Sequence, residues 1–236
     1  MSIKSLFKKT FLYRVYLKVR YHSYELRNKK RNIAFHEEAS DVLQKFCDAL
    51  NESSIVFWLE FGTLLGYYRD RDFIPHDSDL DTGAFLVDAE RIRLALQKHG
   101  FERIRYYNVV GDIGLEECYK HSDFQTTIDI FYFRPDGNVN YCNSFIPLLA
   151  INKRKNIGKE IPCQVKKIEV PNCGYIESQF KGNKVFVPAD CESYLKAHYG
   201  ESFMIPNPNF DSRKDSLNIT WYSYSEKKGI CVVNQA

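Results

Sequence analysis

No stretch of the 236-residue sequence approaches the roughly 20 consecutive apolar residues that a membrane-spanning helix needs. The apolar run Phe11-Leu12-Tyr13 is broken by Arg14, and no secretory signal is evident. The seven cysteines (47, 118, 142, 163, 173, 191 and 231) are odd in number and contain no Cys-x-x-Cys pair. That excludes a disulfide framework or a structural zinc site as the expectation and favours a reducing cytosol. Internal repeats and low-complexity tracts are missing. So is a strong net charge: +3 is too small to argue for nucleic acid as a partner. What remains is 44% hydrophobic and 27% charged, the balance of a globular domain with a sizeable core.

The charge is unevenly placed. Residues 1 to 31 hold ten Lys or Arg against one acid, Glu25, whereas the rest of the chain carries 23 basic and 29 acidic residues. Apolar side chains from Ile3 to Leu17 interleave with those cations. Two readings stand for residues 1–32: an amphipathic helix on an anionic membrane surface, or a basic helix packed on the domain. Residues 33–236 read as one catalytic domain.

Within it, Val42, Leu43, Phe46, Cys47 and Leu50 recur at helical spacing over Ile33 to Leu50. Ile55 to Leu59 predicts a buried strand, and Gly62-Thr63 a break before a short helix from Leu64 to Arg69. Asp79 to Leu86 alternates as a strand. Asp88 to His99 predicts a helix with Asp88 as N-cap and Gly100 as its stop. Phe101 to Val110, Leu115 to Tyr119 and Thr126 to Phe133 are strand candidates, and Asp136-Gly137 opens a hairpin. Val185 to Pro188 leads into a helix from Asp190 to His198, ended by Gly200. The tail after Met204 is expected to be mostly irregular. The class is α+β.

Chemistry concentrates between Glu60 and Asp81. On a strand, Asp79 and Asp81 project from one face, and two such carboxylates repel unless a cation lies between them. Hard oxygen donors with room for water and phosphate suit Mg²⁺ or Mn²⁺. Asp129, flanked by Ile128 and Ile130, is the candidate third carboxylate, because a lone buried Asp needs a partner. Gly62-Thr63 lets a phosphate approach backbone N–H groups at a helix start, and Arg69 could present its guanidinium fork. Together these residues read as a phosphoryl-transfer site. Each piece alone is weak, since Asp-x-Asp is common on solvated loops; the order and spacing carry the argument.

The block Phe61 to Asp81 resembles the signature of the LicD/fukutin family: Gly-[Gly/Ser/Thr]-x-Leu-Gly, then Arg, then Phe-Ile-Pro-Trp-Asp-x-Asp-[Ile/Val/Leu]-Asp. Val187 to Gly200 is similar to the family's C-terminal Pro…Tyr-Leu-x-x-x-Tyr-Gly helix, and Ile205-Pro206 with the aromatic tail leans to the fukutin branch. The resemblance implies a nucleotidyltransferase-like mixed sheet flanked by helices. It also implies a metal-dependent transferase that moves ribitol phosphate, glycerol phosphate or phosphocholine from a CDP-activated donor to a sugar hydroxyl, releasing CMP. The acceptor would be a glycan or lipid-linked oligosaccharide in surface polysaccharide or capsule synthesis, reached from the cytoplasm at the membrane's inner face.

Carried onto this chain, the resemblance gives Asp79, Asp81 and Asp129 the metal, and Gly62, Thr63 and Arg69 the donor phosphates. Asp129 or Asp77 would take the acceptor's proton, and Tyr68 could stack on cytosine or a sugar ring. His76 stands where the family has Trp, near the donor pocket or simply in the loop, and Ser78 where many members have Asp. Two other readings stay open: a nucleotidyltransferase releasing pyrophosphate, and a non-catalytic glycan- or membrane-docking protein.

Overall fold

The computed structural model describes residues 11–112, 114–149, 151 and 156–234, with side chains described at His22 and from Glu25 onward. Its first element is a single helix, α1 (Phe11–Glu52), which runs through residue 32 without a break. Residues 1–10 of the basic arm lie outside the described residues. The second half of α1 buries Phe35, Ala39, Val42, Leu43, Phe46, Cys47, Ala49 and Leu50. These fall at intervals of three and four, one stripe of the helix facing the core. No described helix is long and apolar enough to cross a membrane.

Three short elements follow: β1 (Phe57–Leu59), α2 (Phe61–Leu65), which continues as a π-helical turn over Gly66–Asp70, and β2 (Leu80–Phe85). Then come α3 (Ala89–Lys98), β3 (Phe101–Val109), β4 (Leu115–His121), β5 (Thr127–Asp136) and β6 (Val139–Pro147). The chain ends with β7 (Glu160–Pro171), the hairpin β8 (Tyr175–Phe180) and β9 (Asn183–Pro188), α4 (Cys191–Tyr199), β10 (Ile219–Trp221) and β11 (Gly229–Val233). The α+β class read from the sequence holds.

Nine strands form one mixed sheet. β1 pairs antiparallel with β2, and β2 runs parallel to β5 from Leu80↔Ile128 to Phe85↔Phe133. The far edge of β5 pairs with β4, and its last residues, Arg134–Asp136, pair with β6. From β4 the sheet continues through β3, β11 and β7, and β7 returns to β6. Six strands therefore close on themselves. A small apolar cluster fills that ring, built on Tyr107, Val109, Phe145, Ile161, Cys163, Val165, Cys231 and Val233. The larger core lies on the other face, under α1, α3 and α4.

Strand β7 serves both cores. Its first half buries the odd positions Ile161, Cys163 and Val165, whereas its second half buries the even positions Lys166, Ile168 and Val170. The buried face switches at Val165–Lys166, and a charged residue is the first to point the new way.

The tail after Met204 is mostly irregular, as expected, and also contributes β10 on β7 and β11, which slots between β3 and β7. Three expectations need correction. Gly62-Thr63, read as a break before a helix from Leu64, lies inside α2. Asp88 precedes α3 but makes no side-chain cap; its carboxylate holds Arg91 at 2.6 Å instead. The strand expected from Asp79 begins at Leu80. Asp190, by contrast, does cap α4, accepting from Ser193 N–H at 3.0 Å, and Gly200 (φ 80°) stops that helix.

Candidate active site

The site forms beside α2, where β1 ends and β2 and β5 begin. In parallel pairing, Asp81 of β2 lies directly beside Asp129 of β5. Strands in one sheet stand about 4.8 Å apart, so the two carboxylates are close neighbours on one face. Burial pushes the Asp81 carboxyl well above the usual range, and Asp79, Asp129, Asp77 and Glu60 add repulsion. Burial also raises Asp129, against the pull of Arg105, whose Nη2 stands 3.8 Å from Asp129 Oδ2. Asp129 Oδ1 is buried with no hydrogen-bond partner.

Asp77 sits in the loop before β2, pushed up to about 7 by burial and then by Asp79, with Arg69 opposing. Gly62 is what lets it sit there: a Cβ on Gly62 would stand 2.9 Å from Asp77 Oδ2. Asp79, half-exposed, pairs with Arg31 of α1 at 2.9 Å. The neighbouring Asn32 amide donates to Pro75 O (2.9 Å) and Asp77 O (2.7 Å), and His36 Nε2 lies 3.0 Å from Pro75 O. Helix α1 therefore pins the acidic loop from behind.

Two buried glutamates show what a satisfied carboxylate looks like in this fold. Glu60, fully buried, receives Trp58 Nε1–H (2.7 Å), Tyr194 O–H (2.6 Å) and His198 Nε2 (2.9 Å). Asn218 Nδ2 donates to Glu169 O and lies 3.0 Å from His198 Nδ1, so Nε2 carries the proton that faces Glu60. Glu117 accepts from Arg93, Arg103, Tyr119 and Tyr132. Asp81 has no such donors among the described residues. A buried acid left without donors costs several kcal/mol unless it is protonated or meets a cation. Its oxygens, with those of Asp129 and Asp79, are hard donors of the type that would suit a divalent cation. Among the described residues, no three acidic, His or Cys side chains are already gathered as a closed metal cage. The fit thus rests on the chemistry of the donors and on the orphaned Asp129 oxygen.

In front of these acids lies a cavity of about 390 Å³. Gly62, Arg69, His76, Asp77 and Asp81 all line it, so the structure brings five of the nine sequence-predicted residues to one space. His76 is exposed there. Arg69 is largely occupied: its Nε and Nη2 fork onto Asp70 at 2.9 and 2.7 Å, and Nη1 lies 3.5 Å from Phe203 O. Asp129 and Asp79 stand behind or beside Asp81 rather than on the cavity wall. Thr63 is buried, and its hydroxyl accepts from Asp81 N–H at 2.9 Å, fixing the start of β2. Tyr68 packs on Phe203, ring centres 5.8 Å apart, away from the lining.

The sequence reading missed Lys166, Ser144, His198 and Asn218, which form the cavity's far wall. His198 lay inside the Val187–Gly200 block, but nothing local marks it as facing Glu60 across 138 positions. Phe61 is a further signal visible only in three dimensions. It holds φ 42°, unusual for a bulky residue, with its ring wedged against Phe131 (4.7 Å) and His198 (4.9 Å). Backbone strain of this kind costs about 1–3 kcal/mol and gathers at functional sites.

Residues 54–162 match the family described as LicD/FKTN/FKRP, nucleotidyltransferase domain. The human "Ribitol-5-phosphate transferase FKTN" is 28% identical over 193 residues, covering 81% of this chain and 39% of that protein. The mouse protein of the same name is 28% identical over 188 residues, covering 79% and 38%. The chain therefore spans about two fifths of the length of these curated relatives. Among solved structures, the lincomycin-bound lincosamide adenylyltransferase LnuA aligns over 65% of this chain and 80% of its own, with 14% identity and a TM-score of 0.38. The resemblance carried by Phe61–Asp81 and Val187–Gly200 is thus shown: residues 54–162 match the LicD/FKTN/FKRP nucleotidyltransferase domain, and the chain is similar to fukutin over 193 residues.

Proposed function

We propose that this chain is a metal-dependent transferase that moves a phospho-alcohol from a CDP-activated donor to a sugar hydroxyl of a glycan, releasing CMP. Ribitol phosphate is the first candidate cargo, because the matched relatives are named ribitol-5-phosphate transferases. One observation carries the reading: Asp81, on the cavity wall with Asp77, stands beside Asp129, whose buried Oδ1 has no hydrogen-bond partner among the described residues.

A divalent cation, Mg²⁺ or Mn²⁺, would be held by Asp81, Asp129 and Asp79 and would offset charge on the phosphates. The chain's own residues do the rest. Asp77, with a pKa near 7, is placed to take the proton as the acceptor oxygen bonds to the distal phosphorus and the P–O bond to CMP breaks. Asp129 serves that role less well, since it stands off the cavity wall beside Arg105. Gly62 keeps the approach to Asp77 open. Thr63 sets where β2, and so Asp81, begins.

The test is a thermal-shift screen of CDP-ribitol, CDP-glycerol, CDP-choline and CMP with Mg²⁺ or Mn²⁺, followed by product analysis. Stabilisation by a CDP-alcohol that requires the cation, with CMP released on turnover, is expected. Asp81→Asn should abolish turnover while leaving the melting temperature equal or higher, since it removes a buried charge. Unchanged turnover in that variant, or pyrophosphate released from added CTP with no CMP formed from any CDP-alcohol, would sink the proposal.

A further inference from the structure

The far wall of the cavity carries an ammonium with almost nothing to bind. Lys166 is 5% exposed, and among the described residues its only acceptor is Ser212 O at 3.5 Å, with no ion pair. Burial lowers its pKa. Glu116 opposes that shift without forming an ion pair: burial and Asp129 push its carboxyl up to about 8, the Ser144 side chain hydrogen-bonds it, and one of its oxygens has no partner. Arg69, the cavity's other strong cation, is forked onto Asp70.

Sheet register shows how the lysine is aimed. Lys166 of β7 lies between Ser144 of β6 and Trp221 of β10, a row across three strands. Ser144 and Lys166 line the cavity, and the Trp221 ring centre is 5.9 Å from Nζ. The row sits at the point where β7 turns its second face inward, so the ammonium points into a space that also holds Asp77 and Asp81.

We propose that Lys166, beside Ser144 in the same row, holds a phosphate oxygen of the ligand in this cavity. An ammonium whose one acceptor is a long contact to Ser212 O, set in a low-dielectric wall, suits a phosphate better than a neutral sugar. The nucleotide donor's diphosphate is the source that fits, and for that identity the inference rests on the function proposed above. The anionic character of the ligand rests on Lys166 alone. Arg69 then positions the loop through Asp70 rather than gripping phosphate.

The experiment is titration of the full chain with inorganic pyrophosphate and with CDP, each with Mg²⁺, read by calorimetry and by tryptophan emission. Trp58 is fully buried, so a ligand-induced change should come from Trp221 and vanish in Trp221→Phe while calorimetric binding persists. Lys166→Met should weaken both ligands by about tenfold or more, as loss of a charged hydrogen bond implies. Lys166→Arg should recover part of that affinity, and melting of the unligated variants shows whether they fold. The wild-type Trp221 response tests the site even if Lys166→Met does not fold: binding that leaves Trp221 silent overturns the proposal. If CDP binds wild type and Lys166→Met equally, Lys166 is not the anion site and the donor reading stands. If pyrophosphate binds through Lys166 but CDP binds no tighter, the donor reading falls and the site stands. If wild type binds neither, both fall.

Discussion

Buried carboxylates in this chain fall into two kinds, told apart by what meets their oxygens. Glu60 and Glu117 each have three or four donors and act as structural ties: Glu60 joins β1 to α4, and Glu117 joins β4 to α3, β3 and β5. Asp81, Asp129 and Glu116 lack such a shell. The consequence for Glu116 can be measured. Its native pKa, about 8, lies above the ordinary 4.5, so the folded state binds the proton more tightly than the unfolded state. Its contribution to stability is full below about pH 4.5 and is lost as pH rises towards 8. Asp77, pushed up to about 7, works in the same sense. Metal-free protein should therefore lose stability between pH 5 and 8, and Glu116→Gln should make that decline shallower. Denaturant melts across this range provide the check; an identical slope in the variant would show that Glu116 ionises normally.

At the level of elements, α1 is both a core helix and the back wall of the acidic loop. Its apolar stripe from Phe35 to Leu50 holds it against the sheet, and one turn earlier Arg31 and Asn32 grip residues 75–79. The Arg31–Asp79 pair competes with any cation for Asp79. As a half-exposed pair it contributes roughly 0–1 kcal/mol to stability. Arg31→Ala should leave the fold intact and raise Mg²⁺ or Mn²⁺ affinity severalfold by freeing Asp79. Calorimetric titration of the metal decides this; an unchanged or weaker affinity would mean that Arg31 orders Asp79 for the ion instead of occupying it.

The same elements explain what could be read from sequence. β1, β2 and β5 are local: a β-rich run and Asp-bearing strands announce themselves within a few residues, whereas Gly62-Thr63, read as a break, is taken into α2. The far wall is not local. β7 alternates, but the pattern changes phase at Val165–Lys166 because the strand passes from one core to the other, so Lys166 looks like one of two surface lysines. β10 and β11 are three and five residues long in a tail rich in Asn, Ser and Pro, and they exist because β7 and β3 offer them open edges. One side of the cavity was therefore visible as the Glu60–Asp81 motif, and the rest came only with long-range pairing.

On the scale of the whole molecule, the charge asymmetry still asks for a partner. A strongly basic arm precedes a domain with an excess of acids, and the helix that begins at residue 11 continues unbroken into the core as far as Glu52. Such a continuous helix would fix the catalytic cavity at a set distance from whatever surface the arm touches, which suits an acceptor held on a lipid. Juxtamembrane Lys and Arg each contribute about 1 kcal/mol of attraction to an anionic leaflet, falling off within a Debye length. Removing residues 1–31 outright would also delete Arg31 and confuse docking with loop order. Replacing Lys4, Lys8, Lys9, Arg14, Lys18 and Arg20 with Gln avoids this, because the Arg31, Asn32 and His36 contacts remain. In co-sedimentation with vesicles containing phosphatidylserine, the parent chain should bind in a salt-sensitive manner and the six-Gln variant about tenfold or more weaker, with CDP binding unchanged. Equal vesicle binding by the two chains would leave the arm as a packing element, and equal loss of CDP binding would place its cations at the active site rather than on a membrane.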